Sequence, residues 1–466
     1  MNRSVDLLII GAGPAGMSAA VQARQLGLKV LVVDEQSAPG GQIWRAVEAR
    51  AESGMASLLG EEYAAGLPLA RSFRASGALY EPGTQVWQIE PGWKVFMSHA
   101  QKAECVQATC VLLATGAQER PAPFPGWTLP GVLTVGASQI LMKNAREIPQ
   151  VAPWIAGSGP LVLLYMVQLL RAGGRIAGWL DTTSPGAWRR GIAHAAGALA
   201  AWKDLAKGAA WMREVRRAGF PIVRGVTQLR AHGTQRLEQL SYKTASGKEG
   251  AVDLQLLLVH EGVVPSVHMT HALACEHAWS VSQLSLVPLL DPWGMTSKPG
   301  IFVAGDGGGI GGARAACTRG TLSAVGAALS MGRLDSDAAN RLARPLRMHL
   351  AREMAIRPLL DAIYPPRAEL FSPPDDTVVC RCEELTAGDI RATVAGGRPD
   401  PNQVKSLTRA GMGPCQGRHC GYTVAHILAQ AHGKTVQEVG FHRIRPPFKQ
   451  LTLGELASLD NGQEAP

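Results

Sequence analysis

Short apolar runs alternate with helix-periodic stretches along this chain. Residues 5–10, Val-Asp-Leu-Leu-Ile-Ile, are an apolar run ended by glycines, as expected of a buried parallel strand. From Met17 to Leu26, Ala and Leu recur at helical spacing, and Gly27 stops the helix. Lys29–Val33 is a second apolar strand, so the chain opens with a βαβ unit. Residues 70–112 alternate over runs such as Gln85–Ile89 and Lys94–Met97, which predicts an antiparallel insert before a buried strand at Cys110–Ala114. A second βαβ pattern starts at Val151, with strand Trp154–Ala156, helix Leu161–Leu170 and strand Arg175–Leu180. Residues 187–218 are Ala-rich and helical, and Leu254–His260 and Ile301–Ala304 read as further strands. Leu334–Pro374 mixes helix and linker and closes with Pro365, Pro366, Pro373 and Pro374. A small unit runs from Val378 to about His432, followed by a tail with little periodicity.

The predicted class is α/β: two Rossmann-like dinucleotide-binding domains and a small, mainly helical C-terminal domain. The boundaries drawn are 1–135 with 260–335 for the first domain and 150–259 for the second. A linker at 336–375, the small domain at 376–432 and a tail at 433–466 follow.

Composition narrows the functional classes. Hydrophobic residues are 46% and charged residues 18%, which fits a globular chain. The apolar stretch Trp154–Leu170 is interrupted by Gly157, Gly159 and Pro160 and reads as strand, turn and helix, not a membrane span. No basic, apolar leader precedes the first strand, which predicts a cytoplasmic protein with at most peripheral contact with the inner membrane. The formal charge of +9 is scattered, with local density at Arg213–Arg217 and His442–Lys449. No aromatic-and-basic reading motif accompanies it, so nucleic acid is not an expected partner.

The first glycine turn, Gly11-Ala12-Gly13-Pro14-Ala15-Gly16, stands between a strand and a helix. Gly11 allows the tight turn, Gly13 lets backbone approach a pyrophosphate, and Gly16 permits close helix–strand packing. Asp34, 23 residues after Gly11, ends the second strand, where a carboxylate can accept from an adenosine ribose. Glu35, Gly40-Gly41-Gln42, Thr115-Gly116 and the Ile-Phe-Val-Ala-Gly-Asp segment ending in Gly305-Asp306 complete the set. Together they resemble the two-dinucleotide-domain flavoproteins, which include thioredoxin reductase and glutathione reductase. The resemblance implies FAD held by Gly11, Gly13, Pro14, Ala15, Gly16, Asp34, Glu35, Gly41, Gln42, Thr115, Gly116, Gly305, Asp306 and Ala313. It also implies that Asp306 bonds the ribityl chain and that the helix from Gly312–Ala313 points at the flavin.

A second turn, Gly157-Ser158-Gly159-Pro160-Leu161-Val162, stands where that family binds NAD(P)H. Val162 replaces its third glycine, so the branched side chain is expected to obstruct helix packing and crowd a pyrophosphate. Asp181 is placed to hold a ribose, while Arg189 and Arg190 lie too far along to assign to a 2′-phosphate. The reading is a degenerate nicotinamide site, or one that takes another adenine nucleotide.

Four cysteines stand apart. Cys380 and Cys382 form C-x-C; Cys415 and Cys420 form C-x4-C, with 32 residues between the pairs. Clustered thiols in a chain without a leader suggest a metal before a disulfide, and spacing leaves iron and zinc open. Neither C-x-x-C nor a C-x4-C after the first flavin motif is present, so a redox dithiol is not expected. Cys105, Cys110, Cys275 and Cys317 read as small buried hydrophobes, and His419 as a residue near the surface.

Here the segment Gly411-Met412-Gly413-Pro414-Cys415-Gln416-Gly417-Arg418-His419-Cys420-Gly421 resembles the bacterioferritin-associated-ferredoxin type of [2Fe–2S] domain. With Asp34-Glu35-Gln36, Gly40-Gly41-Gln42 and Gly157-Ser158-Gly159-Pro160, nearly the whole chain is similar to the larger subunits of opine oxidases, hydrogen cyanide synthase and D-hydroxyproline dehydrogenases. The resemblance implies a [2Fe–2S] cluster on Cys380, Cys382, Cys415 and Cys420. It further implies an FAD-dependent β subunit of amino-acid-oxidase type on which a CH–NH or CH–NH2 donor is oxidised. It leaves room for a further flavin or adenine nucleotide bound near a partner, and for a small third subunit. The competing readings are a stand-alone NAD(P)H-dependent flavin and iron–sulfur reductase and a zinc-stapled scaffold. No Ser-His-Asp set, paired carboxylates or activated lysine stands out, and no catalytic base is assigned.

Overall fold

The computed structural model describes residues 3–52, 59–145, 147–397 and 399–459. The tail drawn to 466 therefore runs past the described residues from 460 onward.

The first sheet has seven strands. Arg3–Ile10 lies between Val30–Asp34 and Lys102–Leu113, parallel to both, and its Leu7, Leu8 and Ile9 are fully buried. Strands apolar on both faces fit a sheet covered on both sides. Lys102–Leu113 changes partner along its length. Its first half pairs antiparallel with Lys94–His99, and its second half pairs parallel with Arg3–Ile10 and Ile301–Val303. The antiparallel insert is thus smaller than residues 70–112. Gly66–Ala75 is a helix that buries Ala70 and Phe73, three apart on one face, and Leu79–Pro82 adds a parallel edge strand beside Val30–Asp34. Cys110 and Cys275 are buried as expected, but Cys105 and Cys317 are only half-buried.

Helix α1 (Pro14–Gln25) has Pro14 in its first turn, where a missing N–H leaves no helical bond unmade. It buries Ala15, Gly16, Met17, Ala19, Ala20 and Ala23. The second sheet is parallel and five-stranded, in the order 222–224, 178–181, 154–157, 257–260, 132–134. Helices α2 (Val135–Ala145) and α3 (Pro160–Arg171) flank it, and the Ala-rich span is divided into three, beginning with α4 (Ala187–Ile192). Helix α5 (Ala313–Ser330) returns to pack on α1. Small residues allow this closeness: a Cβ on Gly320 would lie 2.1 Å from the Ala15 carbonyl oxygen.

The span 336–375, read from sequence as linker, is mostly structured. Helix α6 (Ser336–Met354) packs on α5, and α7 (Arg357–Ile363) packs on α4. After it, buried Arg367 donates from Nε to Glu261 at 2.5 Å and from NH1 to Glu369 at 2.9 Å, pinning the segment to the second domain.

The C-terminal unit has its own small core of Val379, Ile390, Val404, Val424, Ile427 and Leu428. A hairpin (378–380 with 385–386) leads into a helix capped by Thr386, and α8 (Gly421–His432) closes the unit. The tail then crosses back onto the first sheet. Phe448 is buried there, its amide donates to Trp87 O at 2.7 Å, and Lys449 pairs with Glu35 at 2.8 Å. Among the described residues no helix is long and apolar enough to cross a membrane.

Candidate functional site

The first glycine turn is built as its spacing implies. Gly11 has φ +106, and a Cβ there would stand 2.5 Å from Ala114 O. A Cβ on Gly16 would fall 1.8 Å from Gly11 O, so only glycine lets α1 start this close to the strand. From Gly13 the same vector meets only the Cα of Gly41, at 3.7 Å. The Gly40 amide donates to Ala12 O at 2.8 Å, which folds the Gly41–Gln42 loop over the turn. Gln42 is exposed and accepts from Arg45 at 3.1 Å.

Asp34 is buried. It accepts from the Ala12 amide at 2.5 Å and from the Gln36 amide at 2.7 Å. Its carboxylate therefore braces the turn from below; burial raises its pKa, and the two amides oppose that rise. Glu35 faces the tail lysine Lys449.

The late Gly-Asp segment reaches the same place. The Ser266 amide donates to Gly116 O at 2.9 Å, and Thr115 Oγ1 donates to Ser266 O at 3.2 Å. Gly307 approaches both Thr115 and Gly116. Asp306 Oδ1 accepts from the Gly311 and Gly312 amides, at 2.8 and 2.9 Å, and shapes the entry to α5, whose first residue is Ala313. Gly116, Gly309 and Gly312 all have positive φ and face open space where a Cβ would be. A cleft walled by glycine backbone and two helix N-termini suits a phosphate-bearing dinucleotide. Lys143 carries no motif that singles it out in the sequence. It is buried and donates from Nζ to Gln42 O, Ile43 O and Gln139 Oε1, holding the Gly41–Gln42 loop from behind; burial lowers its pKa to about 7.

The second turn has a different backbone. Gly159 has φ +98, whereas its counterpart Gly13 has φ −75. The changed turn accommodates Val162, which is fully buried in the core, so α3 packs in spite of the branched side chain. The expected obstruction of helix packing does not occur. Arg190 donates to Ala362 O and Ser184 Oγ, which commits it to α7.

The four C-terminal cysteines come together as two pairs. Cys380 and Cys420 lie side by side and buried, and Cys382 neighbours Cys415, with Cys382 exposed. Beyond its partner thiol, Cys380 receives the amides of Gly411, Glu383 and Cys382, which hold it down to about 6 against burial. The shared proton and burial raise Cys420. Cys420 is the residue before the first turn of α8, where the helix N-terminus favours negative charge. Among the described residues no three His, Cys, Asp or Glu side chains converge as a ready metal site. The donor set nonetheless fits a two-iron cluster better than one zinc ion, because two thiol pairs match two metals with two thiolates each. His419 is exposed. His442, read as part of a basic surface, is buried, with its ring against Gly411 and Gly417. With His268, His271, Arg418 and Tyr422 it lines a cavity of about 590 Å³ between the cysteine loop and the Ser266 segment.

Two dinucleotide-type domains with paired glycine turns define a flavoprotein oxidoreductase. The chain matches the pyridine nucleotide-disulphide oxidoreductase family over residues 5–320 and belongs to it. Residues 375–459 match the sarcosine oxidase A3 domain, a single stretch that includes both the cysteine unit and the tail. More particularly, the chain is 40% identical to one of the subunits of the opine oxidase of Rhizobium meliloti, over 97% of this chain and 98% of that protein. It is 32% identical to hydrogen cyanide synthase subunit HcnB of Pseudomonas aeruginosa, over 98% of this chain and 99% of that one. The fold is similar to that of L-proline dehydrogenase from P. horikoshii, with a TM-score of 0.69 at 21% identity, covering 98% of this chain and 80% of that one.

Proposed function

We propose that this chain is the FAD- and [2Fe–2S]-containing electron-transfer subunit of a heteromeric dehydrogenase or oxidase. The amine is oxidised on a partner β subunit; the donor is an amino or imino acid such as an opine, a D-hydroxyproline-like compound or glycine. The observation that carries this reading is the pairing of four thiols on a unit fastened to a flavin-type domain. Trp127 Nε1 bonds Val378 O at 2.7 Å beside the cysteine strand, and the tail straps the unit to the first sheet. The names of the relatives support the partner, since the opine oxidase relative and HcnB are both subunits of larger enzymes.

When bound, FAD would supply a two-electron acceptor and the cluster a one-electron carrier. Gly11, Gly13, Gly16, Thr115, Gly116 and Asp306 would hold the FAD. Cys380, Cys382, Cys415 and Cys420 would hold the cluster. The amides around Cys380 stabilise negative charge on sulfur, and exposed Cys382 marks the side nearest solvent. No side chain in the chain is assigned as general base.

Tagged chain purified from its own cells should bring down a flavin-containing β subunit. The complex, but not the isolated chain, should have its flavin bleached anaerobically by one of these amines. Amine-dependent bleaching by the isolated chain would contradict the division of labour.

A further inference from the structure

In a dinucleotide-binding turn the second glycine faces the pyrophosphate, and an acidic residue at the end of the next strand faces the ribose. Here both positions look onto one side chain. A Cβ on Gly159 would meet the Cγ and Cβ of Tyr364 at 3.8 and 3.9 Å. The Tyr364 hydroxyl lies near enough to Asp181 for its charge to add to burial in raising the phenol's pKa. Asp181 itself is turned back on its own loop, accepting from the Thr183 amide at 2.9 Å.

Tyr364 is held there. It follows α7, and its amide donates to Leu360 O at 2.9 Å. Leu359 and Ile363 of α7 are buried with Ala187 and Ala198 in a separate small core. A Cβ on Gly191 of α4 would be 2.9 Å from Leu359 and 3.1 Å from Ile363, so the two helices are in close contact. Arg190 donates to Ala362 O at 3.3 Å and to Ser184 Oγ at 2.7 Å, bridging α7 to the loop after Asp181. Three residues beyond Tyr364, the buried Arg367–Glu261 pair fixes the chain again.

We propose that Tyr364 is a built-in occupant of the second dinucleotide site and a determinant of electron-donor specificity. Its ring lies between the pyrophosphate and ribose positions and excludes NADH and NADPH, so that electrons come from the partner instead. The exclusion is steric, and it adds to the loss of the third glycine at Val162. The electron-transfer reading above explains why such exclusion is useful, but nucleotide binding can be measured whether or not that reading holds.

The test is NADH binding to the full-length, FAD-loaded chain, followed by quenching of nucleotide fluorescence and by anaerobic flavin bleaching. Wild type, Val162→Gly and Tyr364→Phe should show no saturable binding, because each keeps the ring. Val162→Gly with Tyr364→Gly should bind NADH at least about tenfold more tightly than Val162→Gly alone, a step of about 1.4 kcal/mol. If the glycine variant does not fold, Tyr364→Ser in the same background gives the same comparison. FAD content and the thermal transition of each variant report that the fold survives. Tight NADH binding by wild type, or a folded double variant that binds no better than Val162→Gly alone, would overturn the proposal. Either failure leaves amine-dependent reduction through the partner to be judged separately.

Discussion

Replacing Cys420 by serine is expected to strip the chain of iron while its FAD remains. Cys420 is completely buried, lies beside Cys380 and stands at the N-terminal end of α8. A serine hydroxyl is a poor ligand for a site built for thiolates, and the buried pocket offers no water-rich alternative. The flavin-type cleft is made by other segments, Gly11–Gly16, Thr115–Gly116 and Gly305–Ala313, so it should be untouched. Electron delivery from the reduced complex to an outside acceptor should then drop by more than about tenfold, since even changes outside the ligand shell of metal sites act on that scale. Cys382→Ser should have the same direction with a smaller effect on folding, because Cys382 is exposed. Full iron content and full electron transfer in Cys420→Ser would remove this cysteine from the site.

Asp306→Ala should weaken FAD by about 1.5–3 kcal/mol, the range for hydrogen bonds to a charged group. That corresponds to roughly ten- to a hundredfold in dissociation constant. One carboxylate oxygen already accepts from Gly311 and Gly312, so the variant also loosens the entry to α5. Asp306→Asn separates the two contributions: it keeps an oxygen for the glycine amides and loses the charge. Equilibrium titration of apoprotein with FAD makes the measurement, and wild-type affinity in Asp306→Ala would refute the role given to this carboxylate.

Local chemistry is readable from the sequence, and contacts between distant segments are not. The turn at Gly11–Gly16, the break before α5 at Gly312 and the cap before the helix after Cys382 all depend on neighbours a few residues apart. The strand Leu79–Pro82 merges into an antiparallel insert in the sequence pattern, because four largely half-buried residues carry no signal of which edge they join. The span 336–375 reads as linker because its prolines dominate the local pattern. What structures it is distant: Glu261 for Arg367, and α4 for Leu359 and Ile363. Val162 is unusual in its motif, but its consequence differs from the expected one, because the Gly159 backbone has moved to a positive φ and absorbs the added volume. Tyr364 belongs to no motif, and only the fold brings it to Gly159. His442 reads as one more surface base, and it is the tail folding back over the cysteine loop that buries it.

The cysteine site is the centre of the account. Two paired thiolate sets beside a flavin domain serve electron transfer only if they hold a redox metal, and zinc has no redox chemistry. The most direct measurement is iron, acid-labile sulfide, zinc and FAD per chain in anaerobically purified protein, with paramagnetic resonance after reduction. Two iron, two sulfide and one FAD per chain, with a reduced-state signal, is the predicted result. Stoichiometric zinc with no iron would contradict it.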